Sequence, residues 1–309
     1  MIRKILRGAA ITLGAVVALV IIALGVVYVV SQRHIDQKLT VAGHALTVPS
    51  DSAGVERGRR IINSYGMCGD CHGPDLGGRV FIDVPVVAQL YAANLTSGEG
   101  GRGGTLSDLD WERAIRHGVA PDGRKLLFMP AHAYSRLNDE DMAALIAYLK
   151  QLPKVSRPMR ANHVGPVGRA LYLKGDFELL PAELMDQTAA HPAVIPPAPT
   201  AEYGRYLARA CAGCHGPTFS GGPMPGTPPE FRPPANITPK GIGHYSEADF
   251  FTALREGKRP GGTMLDTMYM PVRYTKNLSD DQLKALYAFL TGRLTSVTHA
   301  APGTAAPAA

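Results

Sequence analysis

Cys68-Gly69-Asp70-Cys71-His72-Gly73-Pro74 returns later in the chain as Cys211-Ala212-Gly213-Cys214-His215-Gly216-Pro217. On one helical turn, positions i, i+3 and i+4 share a face, so the two thiols and the imidazole of each copy address a single planar ligand. Thiols at this spacing form thioethers to the vinyl groups of a haem while the adjacent imidazole coordinates the iron, which is the attachment chemistry of c-type haem. Two other chemistries use paired cysteines. A zinc ribbon needs its pairs closer than the 140 residues between Cys71 and Cys211, and a dithiol redox pair needs a βαβ setting that the flanking sequence lacks. Cys68, Cys71, His72, Cys211, Cys214 and His215 are therefore expected to hold two covalently attached haem c groups.

The residues downstream of each copy repeat as well. Pro85 and Pro228 each lie 13 residues past the His, Asn94-Leu95-Thr96 and Asn236-Ile237-Thr238 lie 22 and 21 past it, and Met129-Pro130 and Met270-Pro271 lie 57 and 55 past it. This repetition selects Met129 and Met270, out of ten methionines, as the expected sixth iron ligands. Met264 and Met268 are the rivals in the second copy, and Met67 and His132 in the first, whereas Met142 reads as core. A metal-bound imidazole usually donates its other N–H to a carbonyl. Pro85 and Pro228 are candidates to supply it, with a turn that needs Pro for its shape as an equal alternative. Asn94 and Asn236 are candidates for contact with a haem edge, although Asn ahead of Thr is more often a local turn. Arg116 and Arg255 either pair with haem propionates or belong to solvated helix faces. Trp111, the only Trp, reads as core.

These side chains need helices to position them. Ser107-x-x-Asp110 and Ser246-x-x-Asp249 have the form of capping boxes. They precede Trp111 and Ile115 in one module and Phe250 and Leu254 in the other, and the helices run out at Gly118 and Gly257. Asn138 and Ser279 open final helices whose apolar positions, Met142, Leu145, Ile146, Leu149 and Leu283, Leu286, Tyr287, Leu290, follow i, i+3, i+4, i+7. A further helix is expected before each cysteine pair, over 55–64 and 201–210. No segment alternates over strand length, so the fold class is all-α. The organisation is an N-terminal membrane anchor (1–38), a first module (51–152), a Pro-rich linker (153–199), a second module (200–294) and a disordered tail (295–309). The linker carries a short amphipathic candidate over 168–173 and reads as a semi-rigid spacer packed in part on both modules.

Composition sets the remaining bounds. With 309 residues, 45% of them hydrophobic, and 34 Gly beside 25 Pro, the chain is loop-rich but folded. Its net charge of +6 suggests a polyanion partner at first sight. However, Arg3, Lys4, Arg7, Arg33 and Lys38 stand against Asp36 alone at the N-terminus, and the remainder is nearly neutral, which excludes a nucleic-acid footprint. From Ala9 to Val30 no residue is charged, a run long enough to cross a bilayer as a helix. A cleaved signal peptide has a shorter apolar core ending in small residues, whereas this run ends Val26-Val27-Tyr28-Val29-Val30. An uncleaved single-pass anchor is expected, with the basic flank in the cytoplasm and both modules on the periplasmic side of a bacterial inner membrane.

The chain resembles membrane-anchored dihaem cytochromes c, and more closely the cytochrome subunits associated with periplasmic alcohol and aldehyde dehydrogenases. The likeness rests on the two attachment motifs, on Ala235-Asn236-Ile237-Thr238-Pro239 with Gly241-Ile242-Gly243, on Ala253-Leu254-Arg255-Glu256-Gly257, and on Met270-Pro271 with Leu278-Ser279-Asp280. It covers roughly 55–290. The resemblance implies two tandem class I cytochrome c domains behind a single transmembrane helix, and electron transfer rather than catalysis. Electrons would pass from a dehydrogenase or quinol to a terminal oxidase or soluble cytochrome. Two other functions stay open: the dihaem electron-entry subunit of a haem-copper oxidase, and a dihaem peroxidase. The latter needs one iron that can open, which matching Met-Pro elements disfavour.

Overall fold

The structure, a computed structural model, describes residues 2–224 and 232–293. Pro228 and the expected disordered tail lie outside these. The chain divides into two compact units at Pro192/Ala193, with Asn63–Gly66 grouped with the second. The first unit contains helices α1 (Ile2–Asp36), α2 (Ser52–Ile62), α3 (Gly69–His72), α4 (Asp108–Glu112), α5 (Ala131–Tyr134), α6 (Asp139–Leu149) and α7 (Pro166–Lys174). The second contains α8 (Ala201–Ala208), α9 (Ala212–His215), α10 (Pro239–Ile242), α11 (Glu247–Glu256), α12 (Val272–Thr275) and α13 (Asp280–Thr291).

Each unit is built around one pair of packed helices, α2 on α6 in the first and α8 on α13 in the second. A glycine permits each approach. A Cβ at Gly58 would sit 2.0 Å from the Ala144 carbonyl oxygen, and one at Gly204 would sit 1.9 Å from that of Ala285. The expected stripes face inward, since Met142, Leu145, Ile146, Leu149, Leu283, Leu286, Tyr287 and Leu290 are all buried. Both capping boxes form, at Ser107/Asp110 and Ser246/Asp249, and Ser279/Gln282 adds a third. Asn138 caps α6 by accepting from the Asp141 N–H. Gly118 and Gly257 end their helices in the left-handed region, at φ 67° and 70°, where an L side chain is strained. In the first unit the helix begun at α4 finishes as a π-helical turn, Arg113–His117.

Two expectations need correction. The first unit is not purely helical. Strands β1 (Arg79–Val84), β2 (Ala88–Ala92) and β3 (His163–Val164) form an antiparallel sheet in that order, with the β1–β2 register shifting between Val80 and Ile82. Burial does not alternate along β1, whose ends are exposed on both faces, so the sequence shows no period of two there. The linker is also not a spacer over most of its length. As far as Pro192 it is part of the first unit. Leu179 and Leu180 are buried with Val164 in a cluster that also packs Ile35, Leu127, Tyr172 and Phe177.

Helix α1 is long and apolar enough to cross a membrane, and its apolar stretch is not buried against the rest of the chain. A signal sequence would pass the same test. Its last turns are nonetheless packed against α7. The guanidinium of Arg169 donates to Ser31 Oγ at 2.9 Å and Gln32 Oε1 at 2.8 Å, and lies 4.4 Å above the Tyr28 ring centroid.

Candidate haem sites

The two Cys-x-x-Cys-His segments fold alike. Each is a four-residue helical turn in which the His N–H donates to the first Cys carbonyl, His72 to Cys68 at 3.0 Å and His215 to Cys211 at 2.9 Å. The next residue is a glycine with positive φ, Gly73 at 83° and Gly216 at 75°. The His carbonyl then accepts from a glycine six residues on, Gly78 at 2.8 Å and Gly221 at 2.9 Å.

Each His ring is oriented by a backbone carbonyl. His72 Nδ1 lies 2.7 Å from the Ala93 oxygen, and His215 Nδ1 lies 2.6 Å from the Ala235 oxygen. A carbonyl only accepts, so both rings carry their proton on Nδ1 and leave Nε2 with a bare lone pair. Burial outweighs the carbonyl bond and holds both imidazoles below their usual pKa, in the neutral form that ligates metals. The carbonyls that orient the rings are those of Ala93, in place of Pro85, and of Ala235. Pro85 lies in the turn between β1 and β2. The signal for the alanines is present in the repeat, since each directly precedes its Asn-x-Thr.

Those asparagines serve the loop itself. Asn94 Oδ1 accepts from the Thr96 N–H and hydroxyl, and its amide donates to the Val155 carbonyl at 2.6 Å. Asn236 Oδ1 accepts from the same two groups of Thr238. They fix the segments that carry the Ala93 and Ala235 carbonyls.

The thiols fit thioether attachment. None of the four cysteines is in a disulfide. Burial pushes Cys68 and Cys211 up to about 12 and Cys71 up to about 11, so all three are held as neutral thiols.

Met129 and Met270 occupy matching backbone settings. In each case the residue two positions on donates to the Met carbonyl at 2.7 Å across a proline, an inverse γ-turn centred on Pro130 (φ −76°, ψ 59°) and Pro271 (φ −78°, ψ 62°). Both methionines are half-buried, while the rivals Met264 and Met268 are exposed at 58% and 80%. Met67 has φ 46° beside Cys68, and His132 lies on α5 with Nε2 3.9 Å from Glu178. Met142 and Trp111 are core, although Trp111 Nε1 is buried with no hydrogen-bond partner among the described residues.

Both arginines pair with carboxylates, Arg116 in the interior and Arg255 on a partly exposed helix face. Arg116 is 1% exposed, pairs with Glu112 at 2.8 Å and Asp139 at 2.7 Å, and donates to the Leu137 carbonyl, so it belongs neither to a solvated face nor to a propionate. Arg255 pairs with Asp280 and lies 5.3 Å from the Phe251 ring centroid.

Sequence comparison agrees with this duplicated arrangement. Residues 53–149 match the family described as cytochrome c oxidase, cbb3-type, subunit III, and residues 201–293 match the family described as cytochrome c. Each unit thus contains one segment that matches the model of a cytochrome c family. Covalent haem c is what such domains carry, and the cysteines and histidines of both fit it. The chain is similar to the cytochrome c subunit of a quinone-type alcohol dehydrogenase from Komagataeibacter europaeus, at 27% identity over 81% of this chain and 58% of the relative. It is also similar to the gluconate 2-dehydrogenase cytochrome c subunit of Pantoea cypripedii, at 26% over 78% and 60%. The fructose dehydrogenase cytochrome subunit of Gluconobacter japonicus matches at 27% over 72% and 49%. The chain thus spans about three-fifths or less of the length of these relatives, all of which are named as cytochrome subunits and not as the dehydrogenases themselves.

Proposed function

We propose that this chain is a membrane-anchored dihaem cytochrome c that carries electrons on the periplasmic face of a bacterial inner membrane. One observation carries the reading: the oriented His, its paired cysteines and the Met-Pro turn occur with matching backbone geometry in both units. A bound haem supplies reversible one-electron iron chemistry. His72 and His215 would hold it through Nε2, and the Ala93 and Ala235 carbonyls fix each ring plane and raise its basicity. Cys68, Cys71, Cys211 and Cys214 would tether it, and the sulfur of Met129 and Met270 would supply a further ligand to its iron. Methionine ligation would raise the potential of the bound haem.

Three relatives named as dehydrogenase cytochrome subunits support a dehydrogenase as electron donor, directly or through quinol, and a terminal oxidase or soluble cytochrome as acceptor. The match of residues 53–149 to the cbb3-type oxidase family favours a second reading, electron entry into a haem-copper oxidase. Isolation with native neighbours separates the two by which complex comes with the chain.

The anchor is retained in this proposal. Arg169 is 7% exposed, and cleavage after the apolar run would remove Tyr28 and part of the shell that satisfies its guanidinium. Arg3, Lys4 and Arg7 then keep the N-terminus cytoplasmic. The test is a spectroscopic redox titration of the detergent-extracted protein with haem counting. Two one-electron components, each with an iron–thioether charge-transfer band, are expected. Ready carbon monoxide binding to one reduced haem favours a peroxidase instead.

A further inference from the structure

The first unit also gathers three histidines and two carboxylates, none of them from its Cys-x-x-Cys-His turn, from distant parts of the chain. His44 comes from the segment before α2, Glu112 and His117 from the helix that starts at α4, Asp139 from the first turn of α6, and His191 from the end of the unit. Glu112, His117 and His191 each offer one ligand atom within 4.8 Å of the others. His191 also completes a second such group with His44 and Asp139.

The protonation pattern is that of a metal site. Gln187 Nε2 donates to the Ala182 carbonyl, which turns Gln187 Oε1 toward His117 Nδ1 at 2.8 Å. An amide oxygen only accepts, so His117 carries its proton on Nδ1. Its Nε2 is buried, has no hydrogen-bond partner among the described residues, and faces Glu112 Oε1 at 3.6 Å. That oxygen likewise lacks an aligned hydrogen bond, although Arg116 Nε lies 2.8 Å away as its ion pair. The other carboxylate oxygen of Glu112 is taken by the His44 backbone N–H at 3.1 Å. His191 Nδ1 donates to Asp139 Oδ1 at 2.9 Å, which leaves its Nε2 as the lone-pair donor. A carboxylate holding the far nitrogen of a ligating imidazole is a recurrent outer-shell arrangement at zinc. Arg116 pairs with both carboxylates, with Glu112 at 2.8 Å and with Asp139 at 2.7 Å.

We propose that Glu112, His117 and His191 bind one divalent transition-metal ion of the Zn2+ type, with Asp139 and Gln187 as the groups that orient the two imidazoles. Imidazole nitrogens and one carboxylate suit such an ion better than Mg2+ or Ca2+, which prefer all-oxygen shells. In a tetrahedral zinc shell, ligand atoms are about 3.3 Å apart, given bonds of about 2.0 Å. Closing from 4.8 Å asks for a shift of about an ångström or two, which His191 at the end of the unit can supply. The bound ion ties the last residues of the first unit to the helix that starts at α4.

The test uses the full-length haem-loaded protein in detergent, stripped with a chelator, equilibrated with Zn2+ alone and assayed for retained zinc per chain. One zinc is expected, with an absorption edge showing two imidazoles. His117→Gln and His191→Gln are each expected to weaken binding at least about a hundredfold, and Asp139→Asn about tenfold, in line with the usual effect of outer-shell changes. The exposed His163→Gln is expected to change nothing. Haem absorbance and circular dichroism check that each variant is folded, and His191→Gln, at the edge of the unit, spares the core. No zinc on the native protein, equal retention by His117→Gln and His191→Gln, or equal loss in His163→Gln would each overturn the site.

Discussion

Ala93 and Ala235 have no side-chain chemistry of their own, yet their carbonyls decide which nitrogen of His72 and His215 keeps a free lone pair, the one that would face iron in the proposed function. The ligand assignment makes a direct prediction at this scale. Met129→His and Met270→His should each abolish one iron–thioether charge-transfer band and lower one of the two potentials, read by near-infrared absorbance and redox titration. Survival of both bands would remove the methionines from the iron. A second prediction concerns Lys125, which is fully buried with Nζ 2.5 Å from Glu183 Oε1, while Tyr172 donates to the other oxygen at 2.6 Å. Burial alone would raise the Glu183 pKa, but these two bonds outweigh it and hold it below its ordinary 4.5. A depressed carboxylate stabilises the fold above its unfolded value and loses that contribution as the pH falls through the folded value. Lys125→Ala should therefore cost about 2 to 3 kcal/mol at neutral pH, with a smaller difference from native well below pH 4.5, measured by denaturant titration. Residue types legible in the sequence are those whose chemistry is unusual and repeated. Backbone acceptors are not, because any residue supplies a carbonyl, so sequence alone points to the conspicuous Pro85 instead of Ala93.

Helix starts and buried stripes are readable because they are local. Ser107, Ser246 and Asn138 satisfy N–H groups within three residues of themselves, and Leu145 and Leu286 share a face with neighbours one turn away. The sheet is not readable. β3 is two residues long and meaningful only through its pairing with Ala88 and Gln89, some 75 residues earlier. The segment that holds Leu179 and Leu180 reads as a spacer because its prolines are visible in sequence while its burial depends on Val164, Leu127 and Phe177. The two helix pairs give a prediction of their own. Gly58→Ala and Gly204→Ala place a methyl group at about 2 Å from a facing carbonyl oxygen, so each should push its helices apart and destabilise its own unit by about 1 to 3 kcal/mol. Thermal melts that follow each unit separately should show α2/α6 weakened in the first variant and α8/α13 in the second. An unchanged melt would mean that the helices do not cross this closely.

At the scale of the whole molecule, charge and hydropathy are distributed unevenly. Most of the net positive charge lies at the N-terminus around an apolar helix, and nearly all the polar chemistry lies beyond it. The end of α1 is also structural, since Arg169 is satisfied by Ser31 and Gln32. Expression without residues 1–33 should lower the unfolding midpoint of the first unit, by about 1.5 to 3 kcal/mol of stability, while the second unit keeps its own. An unaffected first unit would make the helix a detachable leader. The proposed function requires two haem groups, one on each Cys-x-x-Cys-His turn. The intact mass of the mature protein tests that most directly: the expected result is a polypeptide carrying two covalent haem adducts, located by peptide mapping at Cys68/Cys71 and Cys211/Cys214. A bare chain, or a single adduct, would contradict it.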